Sequence, residues 1–179
     1  MTIVQAARSL AQQLKRLNLK VVFAESCTGG LVAGSLTRFP GISDHHCGGM
    51  VVYRNQTKED YLGIAPRLLK NPGPVSEVVA RQMAQRILEL TPESDISAAV
   101  TGHLGPSAPA DLDGVVYIAI ALRRRLAKGK SAGIIALPVH RHVCATEDSR
   151  LTRQKEVVEQ VLWQLAAACE RDNLEVLTK

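Results

Sequence analysis

The sequence predicts an α/β protein: a three-layer sandwich in which a mixed, partly parallel sheet lies between helices, in one domain covering residues 1–179. Three observations predict it. Apolar runs of strand length alternate with amphipathic stretches in the order helix, strand, helix, strand, helix, helix, three strands, helix. The polar, glycine-bearing turns follow strands, the arrangement that gathers ligands beyond the carboxyl ends of a parallel sheet. No linker, repeat or low-complexity stretch divides the 179 residues, a length that buries roughly 70% of the unfolded surface in one core.

Thr2 with Gln5 gives a capping box, and Ile3, Ala7, Leu10, Leu14 and Leu17 recur at helical spacing, so a first helix should end near Asn18. Residues 21–24 form a short apolar strand. Ser26-Cys27-Thr28-Gly29-Gly30 then turns into a helix over residues 31–39, closed by Pro40-Gly41. Residues 49–53 read as a buried strand, 54–56 as a turn, and Thr57 as the cap of a short helix with Lys58 in its first turn. The helix dipole disfavours a cation there, so Lys58 is either splayed into solvent or lowered in proton affinity. Asn71-Pro72-Gly73-Pro74 breaks the chain before a helix capped by Ser76, with Val79, Met83, Ile87 and Leu90 as its apolar stripe. Residues 96–100 form a strand that enters the turn Thr101-Gly102-His103-Leu104-Gly105-Pro106, followed by a polar loop through Asp113. Residues 115–122 and 132–139 are two strands of a hairpin joined by a solvated basic turn that carries Arg123, Arg124, Arg125, Lys128 and Lys130. Thr146, Glu147 and Asp148 open a long last helix bearing Leu151, Val158, Val161, Leu165 and Cys169, with Trp163 as packing.

Composition narrows the function. The net charge of +5 invites a nucleic-acid reading, but the basic residues are dispersed outside that one turn. Aromatic residues make up only 3%, too few for base-stacking platforms. A modest positive field suits a small phosphorylated ligand. Cys27, Cys47, Cys144 and Cys169 contain no C-x-x-C pair and read as reduced thiols. The N-terminus lacks the pattern of an export signal, and no apolar run reaches spanning length. A cytoplasmic protein that binds neither membrane nor nucleic acid is expected, assembled as a homo-oligomer.

Three polar turns follow strands: 26–30, 54–58 and 101–105. Strands running parallel would bring them to one edge. The first offers Ser26, Cys27 and Thr28 where unpaired N–H groups and the positive end of a helix converge, so a nucleophile and an oxyanion or phosphate cradle can share it. The plainer alternative is that Ser26 and Thr28 cap the helix and Gly29 and Gly30 make the corner. A serine needs a base, and a lysine serves only when neutral, as burial permits. Ser26 with Lys58 is such a pair. Tyr53 is placed to relay the proton or orient the amine, and the N–H groups of residues 28–30 to hold an oxyanion. Ser43 is the rival nucleophile. It precedes its strand and belongs at the far edge unless a second subunit brings it round. His140, His142 and Cys144 alternate at strand spacing and could join His45, His46 or His103 on a metal. No spacing fixes a fourth ligand, so solvated imidazoles at a strand end are the preferred reading and no metal is expected.

Ala24-Glu25-Ser26-Cys27-Thr28-Gly29-Gly30, Phe39-Pro40-Gly41-Ile42-Ser43, Val52-Tyr53-Arg54-Asn55-Gln56-Thr57-Lys58 with Leu62-Gly63, Pro74-Val75-Ser76-Glu77, and Val100-Thr101-Gly102 with Gly105-Pro106 resemble the CinA C-terminal domain family. The likeness runs in order from about Phe23 to Leu122. The family includes nicotinamide-nucleotide amidases, also called nicotinamide mononucleotide deamidases. The resemblance implies an α/β amidohydrolase without metal or organic cofactor. Such an enzyme uses a serine and lysine dyad to convert the carboxamide of nicotinamide mononucleotide, a small pyridine nucleotide, into a carboxylate and ammonia. The family's functional positions fall on Ser26, Ser43, Tyr53, Lys58 and Thr101, with Ser26 favoured as nucleophile. Thr28, Gly29, Gly30, Thr101, Gly102, His103 and Arg150 are the expected substrate contacts.

The chain departs from the family pattern in three places. His103-Leu104 and Ser107-Ala108-Pro109-Ala110-Asp111 replace Ile-Ala and a glycine-rich loop. Gly48-Gly49 stands where an arginine and a glycine are usual. Thr146-Glu147-Asp148 replaces Gly-Asp-Arg, leaving Arg150 or Arg153 to reach a substrate phosphate from the next turn. The alternative reading is a divergent CinA-like protein that binds a nucleotide or a protein partner without deamidating it. The large N-terminal domain of full-length CinA proteins is not expected in 179 residues.

Overall fold

The computed structural model describes residues 2–125, 131–145 and 149–170. Six strands form one mixed sheet: β1 (Val21–Glu25), β2 (His46–Val51), β3 (Ile96–Gly102), β4 (Val115–Arg125), β5 (Ser131–Ala136) and β6 (His140–Val143). β1 lies at the centre of a parallel trio, with β2 on one side and β3 on the other. β4 runs antiparallel to β3, and its outer edge is shared by β6 against Val115 to Ile118 and β5 against Ala121 to Arg125. Glu25 aligns with Val51 on one side and Val100 on the other, so β1 and β2 end level while β3 runs two residues farther, to Gly102.

Alternation along the strands divides the core. Val21, Phe23, Ile96, Ala98 and Val100 pack with α1 (Ile3–Leu17), α2 (Leu31–Leu36) and α6 (Arg150–Glu170). Val22, Ala24 and Ala99 point the other way, onto Val79, Met83 and Ile87 of α5 (Glu77–Leu90). With helices over both faces, a central strand can be apolar throughout, as β1 is up to Glu25. α3 (Asn55–Leu62) and α4 (Pro66–Lys70) complete the second helical layer, α4 opening on a proline at its first position. Among the described residues no helix is long and apolar enough to cross a membrane.

The capping box of Thr2 and Gln5 is formed, and Asn18 ends α1 in the left-handed conformation. Other boundaries move for identifiable reasons. β2 begins earlier than expected and is half-exposed, since it is an edge strand. α2 stops at Leu36, where Pro40 turns its predecessor away from helix and a short 3₁₀ turn follows over Ile42–Asp44. α3 starts at Asn55: Thr57 is its third residue, not its cap, and its hydroxyl turns back to the backbone N–H and carbonyl of Arg54. The Ser76 hydroxyl donates to Gly73 O and leaves the cap unmade. Leu90 and Leu151 are exposed, so neither belongs to its helix's buried stripe.

Arg123 corrects the solvated-turn expectation. It is buried and donates to Ser94 O at 2.8 Å, to Leu88 O and to Thr91 O, closing the C-terminus of α5 where a cation complements the dipole. The hairpin of β4 and β5 is present, with its turn outside the described residues. Thr146, Glu147 and Asp148 also lie outside them; Ser149 Oγ accepts from the N–H of Thr152 and serves the start of α6. Trp163 packs half-buried against the helical layer.

Candidate active site

The three polar turns meet at the carboxyl edge of the parallel trio and enclose a cleft of about 620 Å³. Ser26 leaves β1 with its backbone N–H donated to Val100 O at 3.0 Å, which fixes the turn to β3. The buried Glu25 organises the turn and the helix start beyond it. Its carboxylate accepts from Thr28 Oγ1 at 2.7 Å and from the N–H groups of Gly30, Val32 and Ala33 at 2.9, 3.1 and 2.8 Å. This satisfies the open N-terminus of α2 with a side chain. Gly30, at φ +97°, makes the entry that a side-chain-bearing residue would strain.

That arrangement changes the expected cradle. Gly30 N–H serves Glu25, and Gly29 N–H serves Ser26 O at 3.1 Å. The N–H group of Cys27, which lines the cleft, donates to no other described residue, which makes it the candidate oxyanion donor beside Ser26.

Lys58 comes from α3 and is 1% exposed. Its Nζ lies 3.1 Å from Ser26 Oγ, 2.8 Å from Val52 O and 3.4 Å from Tyr53 O. Burial lowers its pKa to about 8, slightly opposed by the Cys27 thiol. In the neutral amine two N–H bonds can go to the two carbonyls, leaving the lone pair for the Ser26 hydroxyl. Among the described residues no Asp or Glu lines the cleft to hold the proton on Lys58. The neighbouring Cys27 is inert as a nucleophile, because burial pushes its thiol up to about 12.

The remaining expected residues divide by position. Tyr53 reaches Lys58 through its carbonyl; its hydroxyl stands at the exposed rim and accepts from Arg150 at 2.9 Å. Arg150 also donates to Gly105 O and lines the cleft, as do Thr101, Gly102 and His103. The Thr101 hydroxyl is turned to Pro74 O at 2.9 Å, and a Cβ on Gly102 would stand 2.6 Å from Val116 Cγ2. Arg153 is buried and bidentate to Asp113 at 2.9 and 3.0 Å, so it braces the loop while Arg150 faces the ligand space. Thr28 is fully buried against Glu25. Ser43, exposed in the 3₁₀ turn, lies at the opposite end of the sheet. The length of β1 alone separates the two ends by about 13 Å.

Sequence reasoning missed Glu25, although an acidic residue beside a helix start was the available signal. It placed the 54–58 turn at this edge without naming Arg54, Asn55 or Gln56 as site residues, and it missed Pro74 and Ser107; all five line the cleft. His140 and His142 stack on one another, but neither His45, His46 nor His103 joins them: His45 bonds Leu19 O at 3.0 Å, His46 packs edge-on to Phe23, and His103 is in the cleft.

Comparison with known proteins agrees with this architecture. The profile of the CinA C-terminal domain matches residues 4–167. The chain belongs to the CinA C-terminal domain family. A CinA-like protein of Gloeothece citriformis is 41% identical over 114 residues, which are 63% of this chain and 27% of that protein. The chain thus spans less than a third of the length of the curated relatives it matches. The crystal structure of the competence/damage inducible protein CihA from Agrobacterium tumefaciens is 31% identical, with a TM-score of 0.80 over 94% of this chain and 96% of that one. The competence or damage-inducible protein of Enterobacter asburiae is 26% identical, with a TM-score of 0.79 over 94% and 99%.

Proposed function

We propose that this CinA-type domain is a cofactor-free amidohydrolase that deamidates nicotinamide mononucleotide through Ser26 and Lys58. The observation that carries the reading is the buried Lys58 amine 3.1 Å from the Ser26 hydroxyl, with a pKa of about 8 and no carboxylate among the described residues that line the cleft. Neutral Lys58 takes the Ser26 proton as Oγ attacks the carboxamide carbon, whose electrophilicity the pyridinium raises. The N–H group of Cys27 stabilises the oxyanion. The Lys58 ammonium then protonates the departing nitrogen, ammonia leaves, and an acyl-Ser26 forms. Water, deprotonated by the regenerated amine, releases nicotinate mononucleotide and restores Ser26.

A cleft of about 620 Å³ suits a nucleotide, and Arg150 at its rim suits the phosphate. The proposed setting is a cytoplasmic homo-oligomer with no nucleic-acid or membrane partner, its half-exposed β2 edge being available to a second copy. The test is ammonia release from nicotinamide mononucleotide. Turnover abolished by Ser26→Ala and retained by Ser43→Ala supports the reading, whereas an acyl adduct trapped on Ser43 overturns the assignment of the nucleophile. Tight binding without turnover in the intact chain would favour the binding-protein alternative.

A further inference from the structure

Behind the cleft, β6 and the start of α6 bring together three metal-ligating side chains that the proposed hydrolysis does not use. His142 projects from β6, Cys144 follows two residues later, and Glu156 stands on α6. Their ligating atoms lie within 4.8 Å of one another. His142 Nε2 and a Glu156 carboxylate oxygen are 2.6 Å apart, the Cys144 sulfur is buried, and the Glu156 side chain keeps about a third of its surface. The site is therefore closed on the sulfur side and open on the carboxylate side.

We propose that His142 Nε2, Cys144 Sγ and the Glu156 carboxylate form a binding site for a borderline-soft divalent cation, zinc by the chemistry of the set, with its fourth position open to water. Imidazole, thiolate and carboxylate together suit zinc and exclude magnesium and calcium, which take oxygen donors. A tetrahedral zinc separates its nitrogen and oxygen ligands by about 3.3 Å and its nitrogen and sulfur ligands by about 3.6 Å. The cation thus enters by parting the His142 and Glu156 pair by roughly 1 Å or less and by closing on the Cys144 sulfur by up to about 1 Å, shifts available to side-chain rotation. Binding releases the Cys144 proton and any proton shared by His142 and Glu156; no electron moves.

The geometry gives the cation a mechanical role. Cys144 donates its N–H to Gly114 O, and its sulfur lies 4.0 Å from Arg153 O on α6. A bound ion would fasten α6 to β6 within one turn of Arg153, which braces the cleft loop through Asp113.

The experiment titrates the full chain, purified with a chelator and then freed of it, with zinc against a chromophoric competitor and with cobalt(II) as spectroscopic probe. One saturable site per chain, a near-ultraviolet sulfur-to-cobalt charge-transfer band and a melting temperature raised by zinc are expected. Cys144→Ser should abolish the band, and His142→Ala should weaken zinc at least tenfold. His140→Ala, which alters a neighbouring imidazole outside the ligand set, should bind as the parent does. Circular dichroism checks folding, and Glu156→Gln, on the exposed side, replaces any variant that fails it. Absence of a stoichiometric site in the parent chain, or binding and a cobalt spectrum unchanged in the folded variants, overturns the proposal.

Discussion

If Lys58 is the base, activity must follow its deprotonation, and the structure sets where. A pKa of about 8 leaves about a tenth of the amine neutral at pH 7 and about a hundredth at pH 6. With nicotinamide mononucleotide as substrate, kcat/KM should rise about tenfold from pH 6 to 7, about fivefold from 7 to 8 and roughly twofold beyond. Lys58→Met keeps the length of the side chain without a base and should lower kcat/KM by about 10²–10⁴, with the pH limb removed. The same group has a stability signature whose sign is fixed. Below pH 8 both folded and unfolded lysine carry the proton. Between about 8 and 10.5 the unfolded state alone carries it, so stability rises with pH across that window, by up to about 3 kcal/mol. Urea unfolding at pH 7.5 and 10 should show that rise in the parent relative to Lys58→Met. A rate profile flat from pH 6 to 9 with no differential gain in stability would refute a depressed lysine.

Glu25→Ala leaves three backbone N–H groups and the Thr28 hydroxyl without their acceptor, which should cost about 2–4 kcal/mol in urea unfolding and reduce turnover with it. An unchanged midpoint would show that water replaces the carboxylate. Arg150→Ala should raise KM for the nucleotide about 10- to 100-fold while leaving the corresponding nucleoside unaffected, in steady-state kinetics on both substrates. Equal losses on the two would place the phosphate elsewhere.

The elements legible from the sequence were those whose environment is uniform. β1 and β3 are covered on both faces and read as short buried runs, apolar but for Ser97 up to Glu25 and Thr101, and their parallel pairing brought the predicted turns to one edge. β2 was misplaced because an edge strand that starts His46-Cys47-Gly48-Gly49 carries little apolar signal. Arg123 looked like one member of a basic turn, since nothing local says that a cation will fold under a helix end and reach a carbonyl 35 residues earlier. Ser26 and Lys58 were paired from their chemistry and the resemblance, and the geometry brings them to 3.1 Å. The glycine amides were assigned to a ligand because the sequence does not reveal that the preceding carboxylate turns back to fill them.

The position of Glu25 and the start of α3 bear on each other. Glu25 occupies the positive end of α2, so that helix start has no charge to spare for the ligand or for lowering a lysine pKa. Burial is what depresses Lys58, and burial depends on where α3 begins. A cap at Thr57 would leave Lys58 as the first helical residue, pointing outward over open backbone. With the helix starting at Asn55, Lys58 lies a full turn in, and side chains on a helix lean toward its N-terminus. The amine is thereby carried back along α3 onto the carbonyls of Val52 and Tyr53 and against the hydroxyl at the end of β1. A three-residue difference in helix start separates a solvated cation from a buried amine, and the Thr57 hydroxyl, turned to Arg54, holds that start in place.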